Sequence, residues 1–162
     1  MIVVVADTSP LHYLIQVQAI GVLPHFFDEV VIPKSVEREL LNPSTPHEVR
    51  EWMLHPPGWA TIKSAVRILP LNLDPGETEA IALAKELAAF AVLLDDGEAR
   101  QAAKRGGLQV TGTIGILENA AAAGLVDLPS VFGRLKATTY YVSPELLEAA
   151  LARDLARKQE KP

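Results

Sequence analysis

Short apolar runs alternate along this chain with longer segments of helical pattern, and this alternation constrains the fold most strongly. The apolar runs are continuous, which is typical of parallel strands buried on both faces. We predict strands at residues 2–6, 30–32, 66–69, 91–94 and 108–110. The predicted fold is α/β, with three layers (α/β/α) around a central, mainly parallel sheet of four to five strands.

The segments between these strands predict helices. The clearest is 76–89, which is rich in Ala, Leu, Glu and Lys. Residues 56–60 carry two prolines and a glycine and predict a loop. The predicted helices are 10–19, 34–42, 46–54, 76–89, 97–105, 114–123, 128–136 and 144–158. Since no linker or repeat interrupts them, we expect a single domain over residues 1–162, with a C-terminal helix at about 144–158.

Composition narrows the class of protein. A hydrophobic fraction of 49% excludes a disordered chain. No apolar run approaches the ~20 residues that a membrane span needs. The absence of cysteine excludes a thiolate metal site. We therefore expect a cytoplasmic protein that enters no membrane. The net charge of −5 disfavours broad binding of nucleic acid but leaves room for a local basic strip.

Polar residues follow three of the predicted strands. Asp7 follows the first strand, Asp95 and Asp96 follow strand 91–94, and Thr111 and Thr113 follow the last strand. In an open α/β sheet, ligands bind beyond the carboxyl ends of the strands. Carboxylate and hydroxyl oxygens are the ligands that Mg²⁺ and Mn²⁺ prefer. The sequence therefore predicts a site for a hard cation at this edge of the sheet.

Helix capping is the structural alternative for these residues. Asp7, Thr8 or Ser9 could cap a helix that starts at Pro10. Residues 95–97 could form an ordinary turn from strand to helix. Thr113 has the pattern of an N-cap for the following helix.

Two helices that begin at the same edge add further acids. Glu37 and Glu39 open the helix after strand 30–32, and helical phase does not choose between them. In helix 76–89, the phase places Glu77 on the apolar face and Glu79 on the polar side. An acid at the position of Glu77 is either a cap stabilised by the helix dipole or a site residue.

Four segments of the chain, in this order, resemble the PIN-domain nucleases, and in particular the stand-alone prokaryotic kind that includes the VapC-type toxins. The segments are VADTSPLHYL, FFDEVVIPKSVEREL, LDPGETEAIALA and LLDDGEARQAAKRGGLQVTGTIGIL. The resemblance implies catalytic, metal-binding acids at Asp7, Glu39, Glu77 and Asp95, with Asp96 as a further ligand. It also implies Mg²⁺ or Mn²⁺ as the cofactor.

The activity that the resemblance implies is metal-dependent endoribonuclease action on RNA phosphodiester bonds, as in the toxin of a toxin–antitoxin pair. The implied partners are an RNA substrate, a second copy of the chain in a homodimer, and a cognate antitoxin protein. Hydroxyl residues near the acids and basic residues on the neighbouring helices are candidates for contacts with RNA. These candidate substrate-binding residues are Thr8, Ser9, Thr113, Lys34, Arg38 and Arg100.

One departure from the family pattern keeps a second hypothesis open. Many toxins of this class carry aspartate where this chain has Glu77, and the longer side chain shifts a metal ligand. The alternative is a catalytically inactive PIN-like module that binds RNA or protein. The basic residues Lys34, Arg38 and Arg100 could likewise lie on helix faces that contact only solvent. The extra segment at residues 44–65 and the long C-terminal helix are candidates for dimerisation or partner binding.

Overall fold

Five parallel strands form one sheet in the order β3-β2-β1-β4-β5. The strands are β1 (Val3–Ala6), β2 (Glu29–Pro33), β3 (Ala60–Lys63), β4 (Ala91–Leu93) and β5 (Val110–Thr111). The structure is a computed structural model that describes residues 1–160; residues 161 and 162, the end of the predicted domain, lie outside the described residues. The predicted α/β class, with a mainly parallel sheet of four to five strands, is confirmed.

Helices connect the strands, and each predicted helix is found within a few residues of its predicted bounds. A 3-10 helix (Ile20–Val22) and the short α2 (Leu23–Phe26), which the sequence did not predict, lead into β2. The other helices are α1 (Thr8–Gln16), α3 (Lys34–Leu40), α4 (His47–Leu54), α5 (Pro75–Glu86), α6 (Gly97–Arg105), α7 (Thr113–Ala122), α8 (Leu128–Lys136) and α9 (Pro144–Glu160).

Alternate residues of each strand face two separate cores. On β1, Val4 and Ala6 join a core formed with helices α1, α3, α4 and α7–α9. Val5 joins a second core with α5 and α6. Val4, Val5 and Ala6 are fully buried, because β1 lies at the centre of the sheet and helices cover both of its faces. This arrangement explains why the strand reads as a continuous apolar run.

The strand predicted at 66–69 is wrong, and its place at the edge of the sheet is taken by β3, which starts at the end of the predicted loop 56–60. Val66 is 93% exposed. The backbone N–H groups of Val66 and Arg67 donate to the carboxylate of Glu86 on α5, so this segment bonds to a helix rather than to a neighbouring strand. Across residues 1–160, no helix is long and apolar enough to span a membrane.

Candidate active site

The carboxyl ends of β1 and β4 open into a cavity of about 580 Å³, which we call the acidic pocket. All five acids predicted as metal ligands line it, together with one that was not predicted. The acids are Asp7, Glu39, Asp74, Glu77, Asp95 and Asp96. Within the described part of the chain, the lining contains no lysine or arginine, and none of these acids forms an ion pair. The pocket therefore concentrates negative charge without a protein cation to balance it.

Asp7 lies at the centre of the pocket and is only 6% exposed. It occupies the N-cap position of α1, but its side chain accepts no capping hydrogen bond, so the capping alternative does not explain it. Its Oδ1 is buried and has no hydrogen-bond partner. Burial, together with the negative charges of Asp74, Glu77 and Glu39, raises the pKa of Asp7 to about 8. A buried, unpartnered carboxylate oxygen is costly for a fold to keep.

Glu39 joins Asp7 beside the backbone of Gly76. A Cβ added at Gly76 would lie 3.0 Å from Asp7 Oδ1 and 3.2 Å from Glu39 Oε2, so both oxygens lie close to the backbone of this glycine. Thr8 Oγ1 donates to Glu39 Oε2 at 2.8 Å and orients it. Glu37 is not in the pocket and instead pairs with Lys34 at 2.6 Å.

Glu77 is held by a capping box at the start of α5. The Glu77 N–H donates to Asp74 Oδ1 at 2.8 Å, and the Asp74 N–H donates to Glu77 Oε1 at 3.3 Å. Burial and the charge of Asp74 raise the pKa of Glu77 to about 7. Asp74 was not predicted, although an aspartate followed three residues later by a glutamate at a helix start is the signature of this motif.

Glu79 does not lie on a polar side of α5, as its helical phase predicted. It is 7% exposed, because the first turns of α5 are covered all round. It accepts hydrogen bonds from Ser35 N at 2.8 Å, Ser35 Oγ at 2.6 Å and Ala65 N at 2.9 Å. Burial alone would raise its pKa, but these donors outweigh burial and lower the pKa. Glu79 thus ties α3 and the segment after β3 to α5.

Asp95 is the most fully hydrogen-bonded acid of the pocket. Its carboxylate accepts from Ser9 Oγ at 2.7 Å, Thr113 N at 2.8 Å, Thr113 Oγ1 at 2.7 Å and Tyr140 OH at 3.2 Å. Thr113 is fully buried beneath the pocket, and the N-cap of α7 is Gly112, so the prediction that Thr113 caps this helix is wrong. Tyr140 was missed, because no local pattern links it to a strand end.

Of the remaining predicted site residues, some line the acidic pocket and the basic ones lie outside its lining. Asp96 lines the pocket and also caps α6, since its Oδ2 accepts from Ala99 N at 3.0 Å. Thr8 and Ser9 line the pocket. Arg100 donates from its guanidinium to the carbonyl of Leu94 at 2.9 Å and lies beside the pocket rather than in its lining. Lys34 and Arg38 lie on α3 outside the lining.

The residues present fit a hard divalent cation. The Oδ1 of Asp7 has no hydrogen-bond partner. Burial, and to a lesser extent the neighbouring carboxylates, raise the pKa values of Asp7 and Glu77, and a bound cation would favour their ionised forms. The donor set is all oxygen, which suits Mg²⁺ or Mn²⁺. Within residues 1–160, however, no three His, Cys, Asp or Glu side chains stand close enough to form a complete ligand cluster.

A pocket of carboxylates beyond a parallel sheet agrees with the sequence comparison. The family described as DUF3368: PIN domain matches residues 3–155, and the chain belongs to this family. PIN domains are generally metal-dependent nucleases. No curated protein sequence matches the chain significantly. A solved structure similar to this chain is a PilT N-terminus domain protein from the hyperthermophilic archaeon Sulfolobus solfataricus P2, with 14% sequence identity and a TM-score of 0.49 over 88% of this chain and 98% of that one.

Proposed function

We propose that this protein is an endoribonuclease that hydrolyses RNA phosphodiester bonds with Mg²⁺ or Mn²⁺ as its cofactor. The observation that carries the proposal is Asp7, a buried carboxylate with an unpartnered oxygen at the centre of a pocket of acids. Such a group is retained at a cost to stability, and a bound cation would offset that cost. The proposed ligands are Asp7, Glu39, Glu77 and Asp95, with Asp96 at the rim.

A bound divalent ion would lower the pKa of a water molecule and offset the negative charge that develops on the phosphate. The chain's own residues prepare the pocket for that chemistry. Ser9, Thr113 and Tyr140 donate hydrogen bonds to Asp95 and hold its carboxylate in position. Thr8 orients Glu39, and the capping box holds Glu77 at the pocket wall.

The substrate side of the proposal rests on charge and position. Arg100 borders the acidic pocket, and Lys34 and Arg38 lie on the helix that carries Glu39. Arginine and lysine contact RNA phosphates without reading sequence, so they would position the strand. The hydroxyls of Thr8 and Ser9 line the pocket and are within reach of a substrate, whereas the buried Thr113 would act through Asp95.

The toxin role, a cognate antitoxin and a homodimer remain part of this proposal. The support for a partner surface is α9, on which Leu146 is 59% exposed and Leu155 is 57% exposed. Each of these leucines offers exposed apolar surface that a partner could cover. Sedimentation of the purified chain, alone and with a co-expressed neighbouring gene product, tests these partners.

A catalytically inactive module that binds RNA or protein is the second candidate. Two observations favour it: the acids of residues 1–160 are not drawn together into a ligand cluster, and the carboxylate of Asp95 already accepts four hydrogen bonds. Such a protein would retain the fold and the pocket but would bind Mg²⁺ and Mn²⁺ too weakly for catalysis.

The experiment that separates the two candidates is calorimetric titration of Mg²⁺ and Mn²⁺, with RNA cleavage assayed in parallel. The wild type is compared with Asp7→Asn, which removes one charge and keeps the shape of the side chain. Glu148→Gln, at an exposed position of α9, is the matched control for loss of an acid elsewhere. Metal binding and cleavage that vanish only in Asp7→Asn support the nuclease. Metal-independent behaviour of all three proteins supports the binding module.

A further inference from the structure

A second cavity, of about 730 Å³, adjoins the acidic pocket and shares Asp95, Tyr140 and Tyr141 with it. It runs between the start of α7 and the start of α9, and we call it the tyrosine groove. Its volume lies within the ~300–1,000 Å³ typical of sites for small organic ligands, which is enough for one nucleotide. The two cavities meet at the tyrosines, so a molecule bound in one extends naturally into the other.

The walls of the tyrosine groove suit a flat, partly polar ring. Both Tyr141, which is 92% exposed, and Leu146, which is 59% exposed, line the groove. Gly112 and Gly115 also line the groove. Asn119 adds an amide that both donates and accepts hydrogen bonds.

Tyr140 fixes the boundary between the two cavities. Its hydroxyl donates to Asp95 at 3.2 Å, and its ring packs edge-on against Tyr13 with 4.9 Å between ring centroids. The hydroxyls of Tyr13 and Thr139 are also hydrogen-bonded at 2.8 Å. These contacts anchor the segment that carries Tyr141, while nothing of comparable kind buries the ring of Tyr141 itself. An exposed aromatic ring on an anchored segment is suited to stacking.

Charge favours a nucleotide at this position. The acidic pocket has no lysine or arginine in its described lining, whereas in the tyrosine groove Arg100 and Arg153 balance the two acids Asp95 and Glu118. Arg153 pairs with Glu118 but keeps a side chain that is 60% exposed. RNA is polyanionic, and its cleaved phosphate would lie in the acidic pocket. The nucleotide next to that phosphate would therefore meet less negative charge in the tyrosine groove than elsewhere in the acidic pocket.

We infer that the tyrosine groove binds the base of an unpaired nucleotide next to the cleaved phosphate, with Tyr141 as the stacking surface. The inference rests on the proposed ribonuclease function. Stacking on an aromatic side chain is tolerant of base identity, and it requires that the base be unpaired. A base-paired nucleotide is therefore excluded from the groove.

The test measures binding separately from cleavage. The probe is a short, unstructured oligouridylate carrying a fluorophore, and binding is followed by anisotropy in chelating buffer, in the Asp7→Asn background. Tyr141→Ala, Tyr141→Phe and Phe90→Ala are then introduced. Phe90 is 55% exposed and lies at the amino end of β4, whereas the pocket lies beyond the carboxyl ends of the strands. It therefore controls for loss of any exposed aromatic ring.

We expect Tyr141→Ala to weaken binding of the probe about tenfold or more, as loss of one stacked base does. Tyr141→Phe and Phe90→Ala should bind as the Asp7→Asn parent does. With 5-iodouridine in the probe, irradiation should crosslink the RNA to Tyr141. Unchanged affinity in Tyr141→Ala, an equal loss in Phe90→Ala, or a fully paired duplex that depends equally on Tyr141 would each overturn the inference. Affinity for a protein partner that falls in Tyr141→Ala while RNA affinity does not would also overturn it.

Failure of the proposed function gives a different result. If the wild type does not cleave RNA with Mg²⁺ or Mn²⁺, the ribonuclease proposal fails, while dependence of metal-free binding on Tyr141 still supports the groove. In a wild type that does cleave, Tyr141→Ala should raise KM and leave kcat nearly unchanged, because stacking holds the substrate without touching the reacting phosphate.

Discussion

Replacing Asp7 with asparagine should stabilise the metal-free protein at high pH. Burial and the charges of Asp74, Glu77 and Glu39 raise the pKa of Asp7 from 3.8 to about 8. Since one pKa unit corresponds to ~1.4 kcal/mol, ionising Asp7 costs the folded state at most about 6 kcal/mol relative to the unfolded chain. A carboxyl group whose pKa is raised by folding favours the folded state below its unfolded pKa. That contribution is lost as the pH rises from about 4 to about 8.

The assay is thermal unfolding of wild type and Asp7→Asn across this pH range, in chelator and then with Mg²⁺ or Mn²⁺. In chelator, the Tm of Asp7→Asn should exceed that of the wild type near pH 8, and the difference should close towards pH 4. Metal should raise the Tm of the wild type, because an ion that binds only the folded state stabilises it. It should leave the Tm of Asp7→Asn nearly unchanged.

Glu79→Gln is the matched control, since Glu79 is a buried acid of the same region with the opposite pKa shift. Its lowered pKa means that it stabilises the fold above its unfolded pKa and loses this effect as the pH falls through the folded value. Glu79→Gln should therefore lower the Tm at neutral pH and leave the shift produced by metal intact. The reasoning is refuted if Asp7→Asn melts below the wild type near pH 8, or if metal shifts both proteins equally.

Three further substitutions test other parts of the structure. Gly76→Ala places a Cβ 3.0 Å from Asp7 Oδ1, so calorimetry should show metal affinity reduced about tenfold or more, with the Tm preserved. Thr113→Val removes a buried hydroxyl that donates to Asp95 at 2.7 Å, and denaturant unfolding should show a loss of about 1–3 kcal/mol. Phe132→Ala empties a core position that is 1% exposed, which should cost about 3–5 kcal/mol in the same assay without changing the metal affinity of the folded protein.

The central strands could be predicted from the sequence because burial on both faces requires an apolar side chain at successive positions. β1, β2 and β4 are covered on both faces, so each reads as an unbroken apolar run. β3 lies at the edge of the sheet, and its residues Ala60, Thr61 and Ile62 are only partly buried. An edge strand that is only partly buried shows a weaker hydrophobic pattern. The strand was therefore predicted at the more apolar run 66–69.

The site residues that follow strands could be predicted from a general rule about parallel sheets. The site residues that only the tertiary fold brings into contact could not be predicted. Asp7 and Asp95 follow strands of one parallel sheet, so topology alone puts them at the same edge. Tyr140 reaches Asp95 across 45 residues of sequence, and no periodicity encodes that contact. The phase of α5 failed for Glu79 because phase assumes one solvent-facing side, whereas this helix begins beneath other segments.

The position of β1 determines when during synthesis the pocket can exist. β1 is made first, yet it lies between β2 and β4, pairing with Glu29–Val31 on one side and Ala91–Leu93 on the other. A further contact with Asp95 comes from Tyr140, which follows α8 along the chain. A ribosome-bound chain that ends before these elements therefore carries Asp7 without its pocket. The acids gather only after β4 and Asp96 have been translated, which delays any activity of the pocket until β4 has paired with β1.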